Sequence, residues 1–276
     1  MPKFDIELVG KVGSMALINK YRDDMDYNII SMLGKELKPG YVWVTSGAAE
    51  IGRIDYIKRA GKELNSGDPE LDKVDYAAQG QSILMTEYRR FVSPVYGIRQ
   101  ILVEHQHFND EVKREHLKNV LLRCAKQGTI PIINYNDPVN DEEVRKLEIR
   151  DLKKDHRSVV ECVDNDETAS QIACILKPKY LLILTSVDGI YTDPGDKNSL
   201  VREISGKDAF ETINAVEYYQ NFTNGASRAG AHGAKAKLEY IKEPLMNGTT
   251  VFIANSKYKI SEILNGIAPS TRIFTK

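Results

Sequence analysis

The sequence predicts an α/β fold in which a mainly parallel sheet is covered by helices. Apolar runs of strand length recur along the chain, and each is followed by a short turn and then by a longer stretch with helical periodicity. This alternation is typical of parallel strands joined by helical crossovers. The run YLLIL at 180–184 is apolar at every position, as a strand covered by helices on both faces requires.

The elements follow from these two periodicities, taken in chain order. Uninterrupted or nearly uninterrupted apolar runs predict strands at 4–9, 41–44, 93–98, 130–134, 180–184 and 250–253. Longer stretches, with apolar residues recurring three and four positions apart, predict helices at 23–38, 47–61, 75–91, 109–127, 166–176, 207–218 and 231–245.

The chain shows no internal boundary. Its composition does not shift, and neither a repeat nor a Pro/Gly/Ser linker interrupts it, so we expect a single domain over residues 1–276. Two segments are expected to leave the sheet and to be exposed. The first, 140–163, is dense in charges of both signs and is either a lid or a solvated helical insertion; the second, 193–205, opens with turn residues.

Charge and hydropathy exclude several classes of protein. With 38 basic and 39 acidic residues the formal net charge is -1, so no overall electrostatic attraction to nucleic acid or to an anionic membrane is expected. No run approaches the roughly 18 apolar residues of a membrane span, and the charged N-terminus does not resemble a signal peptide. We therefore expect a cytoplasmic protein, whose three cysteines are reduced core thiols.

Small and polar residues follow four of the predicted strands. In an open parallel sheet ligands bind at the carboxyl ends of the strands, and small residues let backbone N–H groups approach an anion. Each turn alone is compatible with a tight strand-to-helix connection, and GKVGS at 10–14 is not a Walker A loop. Together they predict a site at one edge of the sheet, formed by 10–14, 45–49, 134–137 and 185–189.

Two more segments belong with this edge. Residues 163–170 place acidic and amide side chains ahead of an apolar helix, where Asn165 or Asp166 could simply cap the helix. Residues 225–238 are rich in glycine and alanine and carry Lys235 and Lys237, which could be surface lysines on a helix. Two lysines from opposite ends of the chain with an aspartate between them form a sensible phosphoryl-transfer site, because fixed ammonium groups stabilise the charge of the moving phosphoryl group.

A series of motifs carries a family resemblance over nearly the whole chain. In order, they are KVGS (11–14), VTSGA (44–48), AAQGQ (77–81), IPIINYND (130–137), DND (164–166), LLILTSVDGIYTDP (181–194) and GAKAKL (233–238). The series resembles the amino-acid kinase family and, within it, the glutamate 5-kinase branch. Many bacterial members of that branch carry a C-terminal PUA domain, which this sequence is expected to lack.

The resemblance implies a fold and an activity. The fold is a three-layer αβα sandwich with a mainly parallel central sheet, similar to acetylglutamate kinase. The activity is transfer of the ATP γ-phosphoryl group, with Mg²⁺, to the side-chain carboxylate of L-glutamate, the first step toward proline. The family forms homo-oligomers, and proline is a possible feedback effector.

The resemblance also implies roles for individual residues. As catalytic residues it indicates Lys11, Asp166 and Lys237. Contacts to the amino-acid substrate are expected from Ser46, Gly47, Asp137 and Asn165. Contacts to the nucleotide are expected from Lys11, Gly13, Thr185, Ser186, Asp188, Ala231, Gly233 and Lys237. No metal ligand is expected, and His105 and His107 are interpreted as surface polar residues.

Three departures from the family pattern bear on the acceptor. Tyr135 stands where the family's NEND motif has a carboxylate, His232 lies in a loop that is glycine-rich in the family, and the 140–163 segment is longer than the family's loop. Two alternatives follow. One is a family enzyme for another carboxylate or a phosphate acceptor, such as a nucleoside monophosphate; the other is a non-catalytic nucleotide-binding oligomer, which would have no need of Lys11, Asp166 and Lys237 together.

Overall fold

The structure is a computed structural model that describes residues 4–155, 159–193, 195–222 and 233–276. Its strands are β1 (Leu8–Val12), β2 (Ile18–Asn19), β3 (Asp24–Met25), β4 (Tyr41–Thr45), β5 (Gly97–Val103), β6 (Thr129–Tyr135), β7 (Tyr180–Thr185), β8 (Ile190–Tyr191), β9 (Leu200–Val201), β10 (Glu203–Gly206), β11 (Thr250–Asn255) and β12 (Ser270–Thr275). Its helices are α1 (Tyr27–Glu36), α2 (Ala48–Ala60), α3 (Pro69–Phe91), α4 (Gln106–Asn109), α5 (Glu111–Lys126), α6 (Glu142–Asp155), α7 (Asn165–Leu176), α8 (Ala209–Gln220), α9 (Gly233–Tyr240), α10 (Lys242–Met246) and α11 (Ile260–Leu264).

Eight of these strands form one sheet, in the order β10-β12-β11-β7-β1-β4-β6-β5. Neighbours from β11 to β5 are parallel, β12 is antiparallel to β11, and β10 is parallel to β12. The predicted mainly parallel sheet is therefore confirmed. In β1, Lys11 lies opposite Val44 of β4 and Ile183 of β7, so the carboxyl ends of these three strands meet at one edge.

Helices cover both faces of the sheet. On one face α5, α7, α8, α9 and α10 pack on strand residues that include Val9 and Ile183. On the other face α1, α2, α3 and α11 pack on residues that include Leu8 and Leu182. Because alternate residues of a strand point to opposite faces, Lys11 projects on the same side as Val9, toward α7. The predicted three-layer sandwich is confirmed.

Gly10 and Trp43 explain why a glycine stands inside the central strand β1. A Cβ atom on Gly10 would lie 2.2 Å from the Trp43 ring, which is far inside van der Waals contact. Trp43 is fully buried, and its indole Nε1 donates to the Tyr88 hydroxyl at 3.0 Å. The Tyr88 hydroxyl in turn lies 2.9 Å from Thr45 Oγ1. This chain of contacts fixes the last residue of β4 directly before the predicted Ser46 site.

Two glycines allow α2 and α3 to touch along their backbones. A Cβ atom on Gly52 would lie 1.8 Å from the Tyr76 carbonyl oxygen, and one on Gly80 would lie 1.9 Å from the Ala48 carbonyl oxygen. The AAQGQ motif at 77–81 thus contains a close helix contact, next to the start of α2. As a result the first turn of α2 is held against α3.

Several predicted boundaries are wrong, and local chemistry explains some of them. The strand predicted at 4–9 is Leu8–Val12, so Lys11 lies inside the strand and not in the turn after it. The strand predicted at 93–98 is Gly97–Val103, because residues 93–96 form a turn in which Tyr96 N donates to Ser93 O at 3.0 Å. The helix predicted at 75–91 begins at Pro69, where Asp68 caps it by accepting from Glu70 N at 2.9 Å.

The two predicted excursions differ in outcome. Segment 140–163 contains the largely exposed helix α6, of which Ile149 is a buried residue. Segment 193–205 is not wholly exposed, because β10 joins the sheet edge and buries Ile204. The helix predicted at 231–245 divides into α9 and α10; positions 231 and 232 lie outside the described residues. No helix in the described ranges is long and apolar enough to cross a membrane.

Candidate active site

The two lysines and the aspartate predicted from the sequence meet as one ion cluster. Lys11 Nζ lies 2.7 Å from Asp166 Oδ1, and Lys237 Nζ lies 2.8 Å from Asp166 Oδ2. Lys11 and Asp166 are 8% and 4% exposed, which is rare for charged side chains unless they are paired. Their elements, β1, α7 and α9, come together on one face of the sheet. The cluster holds two fixed cations at the carboxyl end of the central strand.

The start of α7 orients this aspartate. Asp164 caps the helix, with Oδ1 accepting from Asp166 N at 2.8 Å and from Glu167 N at 2.9 Å. The interpretation of Asn165 or Asp166 as the cap is therefore wrong by one or two positions. Because a third acidic residue supplies the cap, the side chains of Asn165 and Asp166 are both available to the site.

The charge state of Asp166 follows from its two partners. Burial on its own would raise the pKa of this carboxyl, but the ammonium groups of Lys11 and Lys237 outweigh burial and hold the pKa below its usual value. Asp166 is therefore ionised at neutral pH. It is not a proton donor there, and its two oxygens hold one lysine ammonium group each.

A network of amides lies beside the ion cluster. Asn165 Nδ2 contacts Thr45 O at 3.1 Å, Ser46 Oγ at 2.9 Å and Asn134 Oδ1 at 3.0 Å. Asn134 Nδ2 donates to Gln81 Oε1 at 2.8 Å. Sequence reasoning missed Gln81 and Asn134 as supporting residues, although both lie inside motifs that it singled out. The network joins β4, β6, α3 and α7 at one point.

Ser46 and Gly47 form the turn from β4 into α2. Ser46 N donates to Val12 O at 3.1 Å, which ties this turn to the end of β1. Gly47 has φ +102° at the N-cap of α2, a conformation that favours glycine. The backbone N–H groups of the first turn of a helix have no partner within the helix and favour an anion. Ser46 and Gly47 therefore suit a carboxylate.

Asp137 lies on the turn after β6, but it has a different environment from Asn165 and Ser46. Its partly buried carboxylate forms neither a hydrogen bond nor an ion pair with the described residues. Burial raises the pKa of Asp137, and the positive charge of Lys73 opposes that rise. A desolvated carboxylate of this kind favours a cationic partner.

The Tyr135 phenol at the end of β6 contacts the segment after it. Tyr135 is 9% exposed, and its hydroxyl donates to Asn140 Oδ1 at 3.0 Å. The next residue, Asn136, donates to Glu104 Oε1 at 2.7 Å. His105 is buried and pairs with Glu148 of α6 at 3.1 Å, so its interpretation as a surface residue is wrong. These contacts attach α6 to the ends of β5 and β6.

The predicted nucleotide residues within the described ranges lie in or just after β1 and β7 and in α9. Thr185 Oγ1 donates to Val187 O at 2.8 Å, Ser186 is exposed, and Asp188 pairs with Lys257 Nζ at 3.0 Å. Lys257, just after β11, is a cation that sequence reasoning missed. On the other side Gly13 follows β1 directly, and Gly233 begins α9. Ala231 and His232 lie outside the described residues.

The donor set fits phosphate groups better than a protein-held metal. Among the described residues there is no group of three or more His, Cys, Asp or Glu side chains that could hold a metal ion, and both Asp166 oxygens face lysines. Mg²⁺ usually keeps one or two carboxylates, waters and substrate phosphates as ligands. The described residues thus fit a magnesium ion that is held mainly by the nucleotide.

Comparisons with known proteins identify the family of this chain. Residues 9–255 match the sequence profile described as the amino acid kinase family. Glutamate 5-kinase from Thermoanaerobacter sp. (strain X514) is 28% identical over 98% of this chain, which spans 67% of that protein. Glutamate 5-kinase from Alkaliphilus metalliredigens (strain QYMF) is 29% identical over 96% of this chain and 94% of its own length.

Solved structures share the fold at lower identity. Carbamate kinase from Giardia lamblia bound to AMP-PNP superposes with a TM-score of 0.61 and 16% identity, and covers 98% of this chain and 99% of its own. An isopentenyl phosphate kinase substrate complex gives a TM-score of 0.56 and 16% identity, with 98% and 100% covered.

Proposed function

The chain belongs to the amino acid kinase family, and from this premise we propose that it transfers the γ-phosphoryl group of ATP to the side-chain carboxylate of L-glutamate. The observation that carries the proposal is the Lys11–Asp166–Lys237 cluster beside the Asn165–Ser46 contact. One part presents fixed positive charge for a phosphoryl group, and the other presents hydrogen-bonding groups for a carboxylate. The glutamate 5-kinase relatives support this choice of acceptor.

The reaction joins two anions, and the side chains of the site offset their repulsion. An oxygen of the acceptor carboxylate forms a bond to the γ-phosphorus, while the bond from that phosphorus to the β,γ-bridging oxygen breaks and ADP leaves. Lys11 and Lys237 stabilise the negative charge on the oxygens of the moving group. Mg²⁺, when bound with the nucleotide, supplies further positive charge at the phosphates.

Orientation completes the proposed mechanism. Asp166 holds the two ammonium groups on either side of its carboxylate, so that they need not reorganise during transfer. Ser46 and the start of α2 receive the reacting carboxylate, and Asp137 receives the ammonium group of the amino acid. No covalent enzyme intermediate is needed, because the acceptor carboxylate is itself the nucleophile.

A second acceptor class remains a candidate because of Tyr135 and α6. Tyr135 places a phenol where the family motif that the sequence resembles has a carboxylate. Its hydroxyl donates to Asn140, just before α6, and Glu148 of α6 pairs with His105. Among structural neighbours of this fold, one is named as a carbamate kinase and one as an isopentenyl phosphate kinase. Another carboxylate, or a phosphate such as a nucleoside monophosphate, is therefore the alternative acceptor.

The purified protein tests the proposal directly. ADP release is measured with MgATP and L-glutamate, aspartate, N-acetylglutamate, UMP or no acceptor, with hydroxylamine present to trap an acyl phosphate as a hydroxamate. We expect ADP release and hydroxamate only with L-glutamate. Turnover of UMP without hydroxamate would favour the phosphate acceptor, and binding of ATP without turnover of any acceptor would favour a nucleotide-binding protein without catalysis.

A further inference from the structure

A cavity lies between the first turns of α2 and the first turns of α3. Its volume is about 280 Å³, and its lining includes Ala49, Glu50, Arg53, Lys73 and Tyr76. Ala49 follows Gly47, at the proposed carboxylate site, by two positions. The turn at Asp137–Val139 packs against α3. The cavity therefore lies beside the proposed acceptor site.

Most charges in the lining are already neutralised within the protein. The Arg53 guanidinium binds Glu50 through Nε at 3.2 Å and Nη2 at 2.8 Å, and it binds Glu63 through Nη1 at 2.7 Å. Asp72 accepts from Ser66 N at 3.0 Å. Tyr76 accepts from Leu64 N at 2.6 Å. These groups hold the cavity walls together and have little capacity left for a ligand.

Lys73 is the exception among the charged groups of this lining. Its Nζ lies 3.5 Å from Glu70, a neighbour one helical turn away, and both side chains are more than 60% exposed. Exposed pairs of this type contribute only about 0–1 kcal/mol. The Lys73 ammonium can therefore leave Glu70 for a better anion without a large penalty.

The charge of Lys73 acts on a residue of the proposed acceptor site. Burial raises the pKa of Asp137, and the positive charge of Lys73 opposes that rise. This charge also reaches Glu142 at the start of α6, where Lys146 has the larger effect in lowering the pKa. Lys73 thus lines the cavity from the helix α3, against which the turn that carries Asp137 packs.

From this juxtaposition we infer that Lys73 binds the α-carboxylate of an amino-acid acceptor whose ammonium group is held by Asp137. The two groups of an α-amino acid are attached to one carbon atom, so a site that reads both needs an anion and a cation close together. Asp137 supplies the anion and Lys73 the cation, and the cavity accommodates the α-carboxylate end. This inference rests on the proposed function and names Lys73 as a residue that selects acceptors with an α-carboxylate.

Two acceptors that differ in one group isolate this contact. L-Glutamate and 4-aminobutyrate share the reacting carboxylate and the ammonium group, and only L-glutamate has the α-carboxylate. In the complete chain, Lys73→Met should lower kcat/KM for L-glutamate about 10- to 100-fold, as expected for a lost charge-assisted hydrogen bond. It should leave kcat/KM for 4-aminobutyrate unchanged. Lys73→Arg should restore part of the preference for L-glutamate.

A matched control is available on α5. Lys118 pairs with Glu115 one turn away at 3.4 Å, in the same arrangement as Lys73 and Glu70. Lys118→Met should leave both acceptors unaffected. Because neither lysine is buried, both variants should keep the unfolding midpoint of the parent protein.

The outcomes separate the inference from the proposed function. If the parent protein turns over L-glutamate but Lys73→Met loses equal activity on both acceptors, or on neither, Lys73 does not bind the α-carboxylate. If the parent protein shows no turnover of L-glutamate, the proposed function and this inference both fail. Loss confined to L-glutamate, with Lys118→Met unchanged, supports it.

Discussion

Lys11, Asp166 and Lys237 come from three distant parts of the chain, and their side chains differ in how deeply they are buried. Lys11 is buried in β1, whereas the Lys237 side chain is 21% exposed. Asp166 can remain paired with Lys11 when Lys237 is removed. Substitution of Lys237 therefore tests catalysis with a small effect on folding, while substitution of Asp166 also tests the stability of a buried ion pair.

Lys237→Ala is expected to lower kcat about 100- to 1,000-fold, the usual effect of removing one donor that stabilises transition-state charge. The KM of the acceptor should change little, because the side chain acts on the moving phosphoryl group. The measurement is steady-state ADP release with saturating acceptor. Lys235→Ala is the control, because Lys235 is exposed on the same helix. Near-normal turnover of Lys237→Ala would remove the residue from the mechanism.

Asp166→Asn is expected to lower the free energy of unfolding by about 3–5 kcal/mol at neutral pH, because the change leaves a buried lysine without its counter-charge. The pKa of Asp166 is held below its usual value of 3.8. A lowered pKa stabilises the folded state above 3.8 and loses that effect as the pH falls through the folded-state pKa.

Urea unfolding of both proteins from neutral pH to below 3.8 measures this effect. The difference between the parent protein and Asp166→Asn should be constant at higher pH and should shrink in the acid range. A difference that does not change with pH would show that Asp166 acts through packing and not through its charge.

At the scale of elements, α7 ties the active-site aspartate to the segment before it. The buried carboxylate of Glu167 accepts from Val163 N at 2.8 Å and from Glu161 N at 3.2 Å. Arg145 of α6 donates to Glu161 O at 2.9 Å, and Asn109 bonds both the N–H and the carbonyl of Val160. The return from α6 is therefore held by α4, α6 and α7, and its anchor on α7, Glu167, is the residue after Asp166.

Glu167→Ala is expected to loosen residues 159–163 and to raise the acceptor KM about 10-fold, because Asn165 loses its fixed backbone position and a misplaced contact weakens binding by an amount of this order. Hydrogen exchange followed by mass spectrometry should show faster exchange in 159–163. Glu143→Ala, in exposed α6, serves as the control. Unchanged exchange and KM would mean that the backbone contacts of Glu167 are dispensable for the site.

At the scale of the whole molecule, the site is assembled from both halves of the chain. β1 and β4 supply Lys11 and Ser46, and the second half supplies α7 and α9. A ligand that contacts these elements together binds the folded state and not the unfolded chain. Its binding free energy is therefore added to the free energy of global unfolding.

MgATP at about 100 times its Kd is expected to raise the free energy of unfolding by roughly 2.7 kcal/mol. Thermal unfolding with increasing MgATP measures the shift, with MgCl₂ alone as the control. The same titration of Lys237→Ala should give a smaller shift at equal MgATP. No shift in the parent protein would contradict nucleotide binding at this site.

Sequence periodicity determined the fold class and the order of the main elements. Apolar strands and amphipathic helices follow local rules, so the parallel sheet and its two helical layers could be predicted. β12 and the four-residue edge strand β10 were missed, and their pairing to β11 and to each other depends on distant residues. The family resemblance of the motifs indicated Lys11, Asp166 and Lys237, but the order of residues in the chain does not give the distances between these side chains.

Only the tertiary structure decided which polar side chains have partners. Capping by Asp164 leaves Asn165 and Asp166 available, Gln81 reaches Asn134 across two elements, and Asp137 lacks a partner among the described residues. Lys73 looks like any surface lysine in the sequence. These differences arise because hydrogen bonding and desolvation depend on atoms brought together by packing, whereas periodicity records only which face of an element is buried.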